Sequence, residues 1–360
     1  MDRRHFISLS GLSLGAACSG SAPSAGNAET AQRAGNAAEG RYHPAVTHTS
    51  PLGHKVIHDR FTLIEQFKYE DWNPKRNWKD DASVWLAHSY KWGQLVEPIQ
   101  RRPGRILENL YLLGPDDYHQ CVYLWDTGSG LLLIDPSYDR FSALVNTQIR
   151  QLGYELSDVK WVLLTHMHWD HSQCAAQWEA RGVPVYIHED DRGYMTGELD
   201  LGEQSLPVTP VKNPLSFAGG DTLTFGRLSL RAIHTPGHTP GSACFSFDWA
   251  GTSGLISGDI VLHFGRHAWM GAGYCNWDQY LASLWRLHDD PDAAKWQVLL
   301  PGHGTVELEG APDSIWQVMQ VTSHIIHLRR QGSDLDWIDS HHLFWRLKQE
   351  GEPEPDVLKA

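Results

Sequence analysis

The feature that most constrains this chain is a six-residue segment that carries four potential metal ligands, namely His166, His168, Asp170 and His171. The apolar run Val162–Leu164, which is typical of a buried strand, precedes it. Alternate side chains of an extended loop point the same way, so His166 and His168 can bind one ion. A helix that begins at Asp170 would direct the other two side chains elsewhere. Imidazole and carboxylate groups suit zinc and similar divalent ions.

Three more polar residues follow apolar runs in the same manner, and these are His238, Asp259 and His303. Loops at the ends of rigid strands carry catalytic groups in α/β scaffolds. If the strands share one sheet region, all four loops converge at one edge. Glycines at 237, 258 and 302 allow tight turns beside these residues. The alternative, a histidine-rich surface loop, does not account for four such loops.

Strand and helix patterns interleave from Arg105 to Arg330 and predict the α/β class. Ile106–Leu113 alternates and predicts a strand, and a hairpin is expected around Thr127–Gly130. Asp139–Leu152 and Asp170–Arg181 have the apolar spacing of helices.

The four motifs, in order, resemble the signature of the metallo-β-lactamase fold superfamily: His166-x-His168-x-Asp170-His171, Gly237-His238-Thr239, Ser257-Gly258-Asp259 and Gly302-His303-Gly304. They are most similar to its bridging-aspartate branch, which includes glyoxalase II and lactonases. The resemblance covers about residues 105–310. It implies a four-layer αβ/βα sandwich with metal ions at one edge of two facing sheets.

Position by position, the resemblance implies two divalent ions, with zinc expected. His166, His168 and His238 would hold the first ion. The second would be held by Asp170, His171 and His303, with Asp259 bridging both. A metal-bridging hydroxide would attack the carbonyl of an ester, lactone, thioester or amide. Asp170 is also a candidate catalytic residue, as proton acceptor from the nucleophile.

Two alternative reactions on the same fold stay open: β-lactam hydrolysis and a persulfide dioxygenase that uses one iron. Asp259 stands where dedicated β-lactamases of this superfamily have cysteine or lack the bridging carboxylate. Leu262 stands where lactonases often have tyrosine. A non-enzymatic metal-binding lipoprotein is the third alternative.

The segment that follows Asp259 contains three residues that are predicted to line the substrate pocket, namely His263, His267 and Trp269. Tyr274 and Trp277 belong to the same aromatic stretch, for which core packing is the competing interpretation. His188 and His234 lie outside the signature and are expected to have structural or supporting roles.

The sequence also predicts how the chain is divided into segments outside and around the catalytic domain. Residues 1–18 resemble a twin-arginine export signal, with Arg3-Arg4 before an apolar stretch and a lipoprotein-like cleavage box before Cys18. We therefore expect export to the periplasm, with a lipid anchor at Cys18 as an option. Residues 19–40 predict a flexible linker. Residues 41–105 form an N-terminal extension, 106–330 the catalytic domain, and 331–360 a segment that packs on it.

The net charge of −13 excludes nucleic acid as an expected partner, because an acidic chain repels a polyanion. A small-molecule substrate is expected instead, and oligomerisation is left open. Four cysteines beyond the signal show no disulfide or metal-binding spacing, so most are expected to be buried as small apolar residues.

Overall fold

The computed structural model describes residues 47–49, 55–57, 103–113, 120–200, 207–262, 267–304 and 306–332. The predicted export signal 1–18 with Cys18, the linker 19–40 and His263 lie outside these ranges. Most of the predicted C-terminal segment 331–360 does so as well. No described helix has the length and apolar character needed to cross a membrane.

The described strands, in chain order, are β1 Thr47–Thr49, β2 Lys55–Ile57, β3 Gly104–Leu107, β4 Leu110–Leu113, β5 Val122–Asp126, β6 Leu131–Ile134, β7 Val159–Leu163, β8 Val185–His188, β9 Leu215–Phe217, β10 Thr222–Phe225, β11 Leu228–His234, β12 Ala243–Trp249, β13 Thr252–Gly258, β14 Val298–Pro301 and β15 Val306–Glu307. The described α-helices are α1 Ser142–Gln151, α2 Trp169–Ser172, α3 Ala175–Glu179, α4 Glu189–Thr196, α5 Trp277–His288 and α6 Ala311–Arg330.

These strands form two sheets. One sheet has the order β3-β4-β5-β6-β7-β8-β9, and the other has the order β1-β2-β15-β14-β13-β12-β11-β10. Buried side chains of both sheets share one apolar core, to which Trp125 and Phe245 belong. A second core joins the first sheet to α1, α3 and α4, and a third joins the other sheet to α5 and α6. The chain is therefore the four-layer αβ/βα sandwich that the motifs predict.

The sandwich follows from strands that are apolar on both faces. In β6, Leu131 and Leu133 pack toward the helices, whereas Leu132 and Ile134 pack between the sheets. All four side chains are at most 1% exposed. A strand with apolar side chains on both faces needs a covering layer on each side, because each Å² of apolar surface that is removed from water stabilises the fold by about 25 cal/mol.

Strand direction brings the ligand-bearing loops to one edge. Strands β6, β7 and β8 run parallel in the first sheet. In the second sheet β13 and β14 are parallel, and β11 has the same direction because it is two antiparallel steps from β13. The carboxyl ends of parallel strands lie at the same edge of a sheet, so the loops that follow them become neighbours.

Two predicted elements are divided in the structure. The strand expected over 106–113 is the hairpin β3–β4, which turns at Asn109 with a φ of 60°. The helix expected over 170–181 is two short helices, α2 and α3. Between them the backbone N–H of Cys174 donates to the carbonyl of Ser137, at 3.0 Å, instead of continuing the first helix. Long-range partners of this kind are not visible in a local pattern.

Part of the N-terminal extension joins the sandwich. Strands β1 and β2 form an antiparallel hairpin, and β2 pairs with β15 at the margin of the eight-stranded sheet. Since β15 begins three residues after His303, this hairpin extends the sheet beside one of the candidate ligand loops.

Candidate metal centre

The structure brings all seven predicted ligand residues together at the edge where the strands end. His166 and His168 lie between the end of β7 and helix α2, and Asp170 and His171 lie within that helix. The others follow β11, β13 and β14, and these are His238, Asp259 and His303. Five of the seven are buried to 7% exposure or less, whereas the side chains of Asp170 and His303 keep 15% and 14%. The opening to solvent is therefore on the side of Asp170 and His303.

Three imidazole rings form the first ligand group. The Nε2 atom of His166 lies 3.1 Å from Nδ1 of His168 and 3.2 Å from Nε2 of His238. Two nitrogens that bind the same tetrahedral zinc ion, each at about 2.0–2.1 Å, lie about 3.3 Å apart. The spacing of these nitrogens is thus close to that of a zinc coordination sphere.

The second group consists of Asp170, His171 and His303. The Nε2 atoms of the two histidines are 3.1 Å apart, and Oδ2 of Asp170 lies 3.1 Å from His303 Nε2 and 3.6 Å from His171 Nε2. A carboxylate oxygen and two imidazole nitrogens at these separations also match the ligands of one divalent ion.

Asp259 lies between the two groups. Its Oδ2 atom is 3.4 Å from His238 Nε2 and 3.5 Å from His303 Nε2, and its Oδ1 atom is 3.5 Å from His171 Nε2. Oδ1 is buried and has no hydrogen-bond partner among the described residues. A buried carboxylate oxygen without a donor is costly, so this atom fits a position beside a cation.

The protons on the rings explain why the first group fits an ion. The backbone carbonyl of Trp269 can only accept, so the contact of 2.8 Å makes Nδ1 of His238 the donor. The hydroxyl of Thr165 donates to the carboxylate of Asp135 at 2.7 Å and accepts from Nδ1 of His166 at 3.0 Å. Both rings therefore turn an Nε2 lone pair inward. Two lone pairs that face each other across 3.2 Å repel unless a cation lies between them.

Asp135 fixes ligands of both groups. Its Oδ2 atom accepts from Nδ1 of His171 at 2.9 Å, which leaves the Nε2 lone pair of that ring for the second group. Its Oδ1 atom accepts from the backbone N–H of Thr165 at 2.8 Å. Carboxylates that hold the outer nitrogen of a ligand histidine set its orientation and raise its basicity.

The electrostatics of the centre favour positive charge. Burial raises the pKa of Asp259, but His303 and His171 hold it well below its usual range. Burial likewise opposes ionisation of Asp170, yet His171 and His303 lower its pKa to about 2. Burial lowers the pKa of His171, but Asp170, Asp259 and Asp135 raise it to about 10. Without an ion, protons on the histidines compensate the three buried carboxylates, and divalent ions that displace those protons would supply the same charge.

A further buried carboxylate, that of Asp191, joins two of the candidate ligand loops. It accepts from the backbone N–H of Met167 at 2.9 Å, from that of Gly241 at 2.7 Å and from the hydroxyl of Thr239 at 2.7 Å. Burial raises its pKa to about 6, although these hydrogen bonds lower it. Asp191 thus links the loop of His168 to the loop of His238.

Replacing Asp191 by alanine is expected to lower the unfolding free energy by roughly 3–5 kcal/mol. Three buried donors would lose their acceptor, and each such loss costs about 1–3 kcal/mol. Urea denaturation of the metal-free protein measures the effect. The matched control is Asp190→Ala, whose side chain is 49% exposed and which should change stability by less than about 1 kcal/mol. Equal effects of the two variants would contradict the role given to Asp191.

The three predicted pocket residues differ in their position relative to the centre. Trp269 borders the centre: its ring centroid lies 6.2 Å from that of His168, and its side chain is 39% exposed. His267 is only 2% exposed and packs edge-on against Trp277, so it lies in the interior and does not face an open pocket. His263 is outside the described residues.

Three supporting residues were not predicted to act at the site, namely Asp135, Thr165 and Asp191, whereas Tyr274 was expected either to line a pocket or to pack in the core. The hydroxyl of Tyr274 lies 2.7 Å from Nε2 of His168. Asp135 follows an apolar strand as the ligands do, and that position was the one signal available in the sequence. The contacts of Asp191 and Tyr274, and that of Thr165 with Asp135, join residues distant in sequence and depend on the folded chain.

His188 and His234 form a separate cluster with Asp190. Their rings stack with centroids 4.0 Å apart. The backbone N–H of Asp190 donates to Nδ1 of His188, which caps helix α4, and Nε2 of His234 donates to the carbonyl of Pro240. These contacts give both histidines the structural roles that were expected.

One glycine is required by the geometry of the centre. A Cβ atom at Gly302 would lie 2.1 Å from Oδ1 of Asp259 and 2.9 Å from the ring of His171. A side chain at this position would displace the central carboxylate, so the loop before His303 needs glycine.

Comparison with known proteins agrees with the fold described above. The family model described as the metallo-beta-lactamase superfamily matches residues 114–303, which is more than half of the chain. A metallo-beta-lactamase family protein of Thermus thermophilus, known from its crystal structure, has a TM-score of 0.54 and 23% identity. The match covers 69% of this chain and 95% of that one, and it shows the fold alone.

Two curated relatives each match about half of the chain. An uncharacterized protein of Mycobacterium leprae (strain TN) is 32% identical over 205 residues, which are 53% of this chain and 88% of that protein. An atrochrysone carboxyl ACP thioesterase of Paecilomyces divaricatus is 30% identical over 187 residues, which are 51% of this chain. The match spans half the length of the thioesterase.

Proposed function

Because the chain belongs to the metallo-beta-lactamase superfamily of metal-dependent hydrolases, we propose that its centre binds two divalent ions and hydrolyses a small molecule at a carbonyl group. The substrate would be an ester, lactone, thioester or amide. The observation that carries this proposal is the pair of inward lone pairs on His166 and His238, together with the unpartnered Oδ1 of Asp259.

In this proposal each ligand group holds one ion, and zinc is the ion that the donors favour. His166, His168 and His238 bind the first. Asp170, His171 and His303 bind the second, and Asp259 bridges the two. Bound divalent ions supply Lewis acidity, which lowers the pKa of water and polarises a carbonyl.

Asp170 is the carboxylate best placed to receive a proton from the nucleophile. Its side chain is among the more exposed of the seven, and it lies at the opening of the centre. The pKa of about 2 keeps it ionised at neutral pH, so it would hold a proton only transiently. Asp170 therefore serves mainly as a ligand and secondly as a proton relay.

The rim of the centre favours a substrate with an apolar portion. The exposed ring of Trp269 and the half-buried ring of Tyr274 both lie beside His168. Aromatic side chains that flank a few polar groups are typical of small-molecule sites. The similarity to an ACP thioesterase supports the inclusion of thioesters.

The test is a substrate panel with the zinc-loaded protein. It contains an aryl ester, an acyl thioester, a lactone, a cephalosporin and an activated phosphodiester. We expect turnover of at least one carbonyl compound, loss of turnover after chelation, and recovery when zinc is restored. Turnover of the phosphodiester alone, or turnover that survives chelation, would contradict the proposal.

A further inference from the structure

Gln120 is a fully buried residue beside the second ligand group, and it is not one of the seven candidate ligands. Its amide N–H₂ donates to the backbone carbonyl of Asp170, and its amide oxygen accepts from the hydroxyl of Ser137 at 2.8 Å. Its backbone pairs with that of His303 in an isolated antiparallel bridge. Gln120 therefore joins the loop of His303 to helix α2 and to the turn that follows β6.

The bond to Asp170 replaces a helical hydrogen bond. In a regular helix the carbonyl of Asp170 would accept from the backbone N–H four residues later, which is that of Cys174. That N–H donates instead to the carbonyl of Ser137, at 3.0 Å. Gln120 supplies the donor that the carbonyl of Asp170 would otherwise lack, and a buried carbonyl without a donor is costly. Helix α2 can therefore end one residue after the second of the two ligands that it carries.

The described contacts of Gln120 lead to all three members of the second ligand group. Asp170 and His303 are two of these members, and Gln120 contacts the backbone of each. The turn that contains Ser137 also contains Asp135, whose carboxylate holds the ring of the third member. Loss of the Gln120 amide would thus loosen the parts of the second group relative to each other.

The first ligand group is held by other residues. The outer nitrogens of its three rings lie at hydrogen-bond distance from Thr165, Trp269 and Tyr274. Asp191 joins two of its loops. None of these hydrogen bonds between described residues involves Gln120, so a substitution at Gln120 leaves them in place.

We propose that Gln120 is a positioning residue that selectively sets the affinity of the second ion. This inference rests on the proposed two-ion centre. The amide holds Asp170 and His303 where Oδ2 and Nε2 are 3.1 Å apart, which suits ligands of one ion. A glutamine fits this position because its amide donates to a carbonyl, accepts from a hydroxyl and adds no charge to a centre that already contains three carboxylates.

A merely structural role for Gln120 predicts a different result. If the residue only stabilised the fold, its loss would lower the affinities of both ions by similar factors or leave both unchanged. If it positions the second group, its loss should weaken binding of one ion and spare the other.

The experiment compares wild type with Gln120→Met, which keeps the length of the side chain and removes both hydrogen bonds. Zinc affinities are measured by competition with a chromophoric chelator. We expect two zinc ions per chain in wild type. In Gln120→Met one affinity should match that of wild type, and the other should fall by about 10–100-fold, as for other residues that orient metal ligands.

Cobalt(II) identifies the ion that is affected, because its visible absorption depends on its ligands and their geometry. The form of Gln120→Met that holds one cobalt ion should have the spectrum of His303→Ala, which keeps the first ligand group intact. Its spectrum should differ from that of His238→Ala, which keeps the second. The spectrum of His238→Ala in the one-ion form of Gln120→Met would contradict the proposal.

The matched control is Gln173→Met. Gln173 is 9% exposed, and its amide also donates to a backbone carbonyl, that of Pro207 at 2.7 Å, and accepts from the backbone N–H of Asp139 at 3.3 Å. This variant should bind both ions as wild type does. Equal changes of both affinities in Gln120→Met, or a selective loss in Gln173→Met as well, would overturn the inference. Fewer than two zinc ions in wild type would count against the proposed function, and the inference would fall with it.

Discussion

Replacing Asp259 by asparagine is expected to lower kcat/KM by at least about 1,000-fold. Asparagine keeps the size of the side chain but removes the charge that lies between the two ligand groups. Its neutral amide would bind ions weakly at the position where Oδ1 and Oδ2 approach three histidines at 3.4–3.5 Å. Metal polarisation of a carbonyl is worth several kcal/mol, and about 4 kcal/mol corresponds to roughly 1,000-fold in rate.

The measurement is steady-state hydrolysis together with the zinc content of the same preparation. We expect the variant to hold fewer ions per chain than wild type. The matched control is Asp278→Asn on helix α5, whose carboxylate is 73% exposed and pairs with Arg330 at the surface. This control should keep wild-type rates. Full activity in Asp259→Asn would mean that Asp259 does not bridge the two ligand groups.

Replacing Asp135 by asparagine is expected to weaken zinc binding and lower activity by about 10–100-fold, although Asp135 is not a proposed ligand. In the wild-type protein, Oδ2 of Asp135 accepts from both Nδ1 of His171 and the hydroxyl of Thr165. An amide N–H₂ at this position would face two donors, and His171 would turn or change tautomer. Loss of the group that orients a ligand histidine typically has an effect of this size.

Zinc titration with a competing chelator measures the affinity directly. Asp126→Asn is the matched control, because Asp126 also accepts from a backbone N–H and a hydroxyl, those of Gly128 and Tyr154, at the end of β5. It should bind zinc as wild type does. Equal zinc affinities in Asp135→Asn and wild type would contradict the role of Asp135.

The sequence was sufficient to predict which seven residues come together at the centre, because each of them is local to a motif. His166, His168 and Asp170 are spaced by the geometry of one loop. His238 and Asp259 each follow a run of apolar residues. In the sequence, a strand that is buried on both faces is recognised as a run of apolar residues. The residue that follows the run lies at the edge of the sheet. The convergence of the loops follows from parallel strand directions, which an α/β pattern predicts.

The supporting groups could not be predicted in this way, because their roles come from contacts across the fold. Asp135 and His171 are 36 residues apart, and Asp191 and Gly241 are 50 apart. A buried carboxylate acquires its partners only when separate loops pack against it. Tyr274 was expected either to line a pocket or to pack in the core, and its hydroxyl reaches His168 because the loop before α5 brings it to the first ligand group.

Contacts across the fold also explain why two predicted elements and one predicted pocket residue differ from the structure. Local spacing favoured one helix over 170–181, but the backbone of Cys174 bonds to Ser137, which precedes it by 37 residues. Local alternation favoured one strand over 106–113, but Asn109 adopts a left-handed φ and reverses the chain. His267 resembled a pocket residue by position, yet its ring packs in the interior against Trp277.

The central claim is that seven residues on four loops hold two ions that the reaction requires. The most direct test is elemental analysis of protein dialysed against zinc and freed of excess metal, with hydrolysis measured on the same samples. We expect close to two zinc ions per chain, and activity that disappears and returns with them. Full activity in chelated, metal-free protein would contradict it.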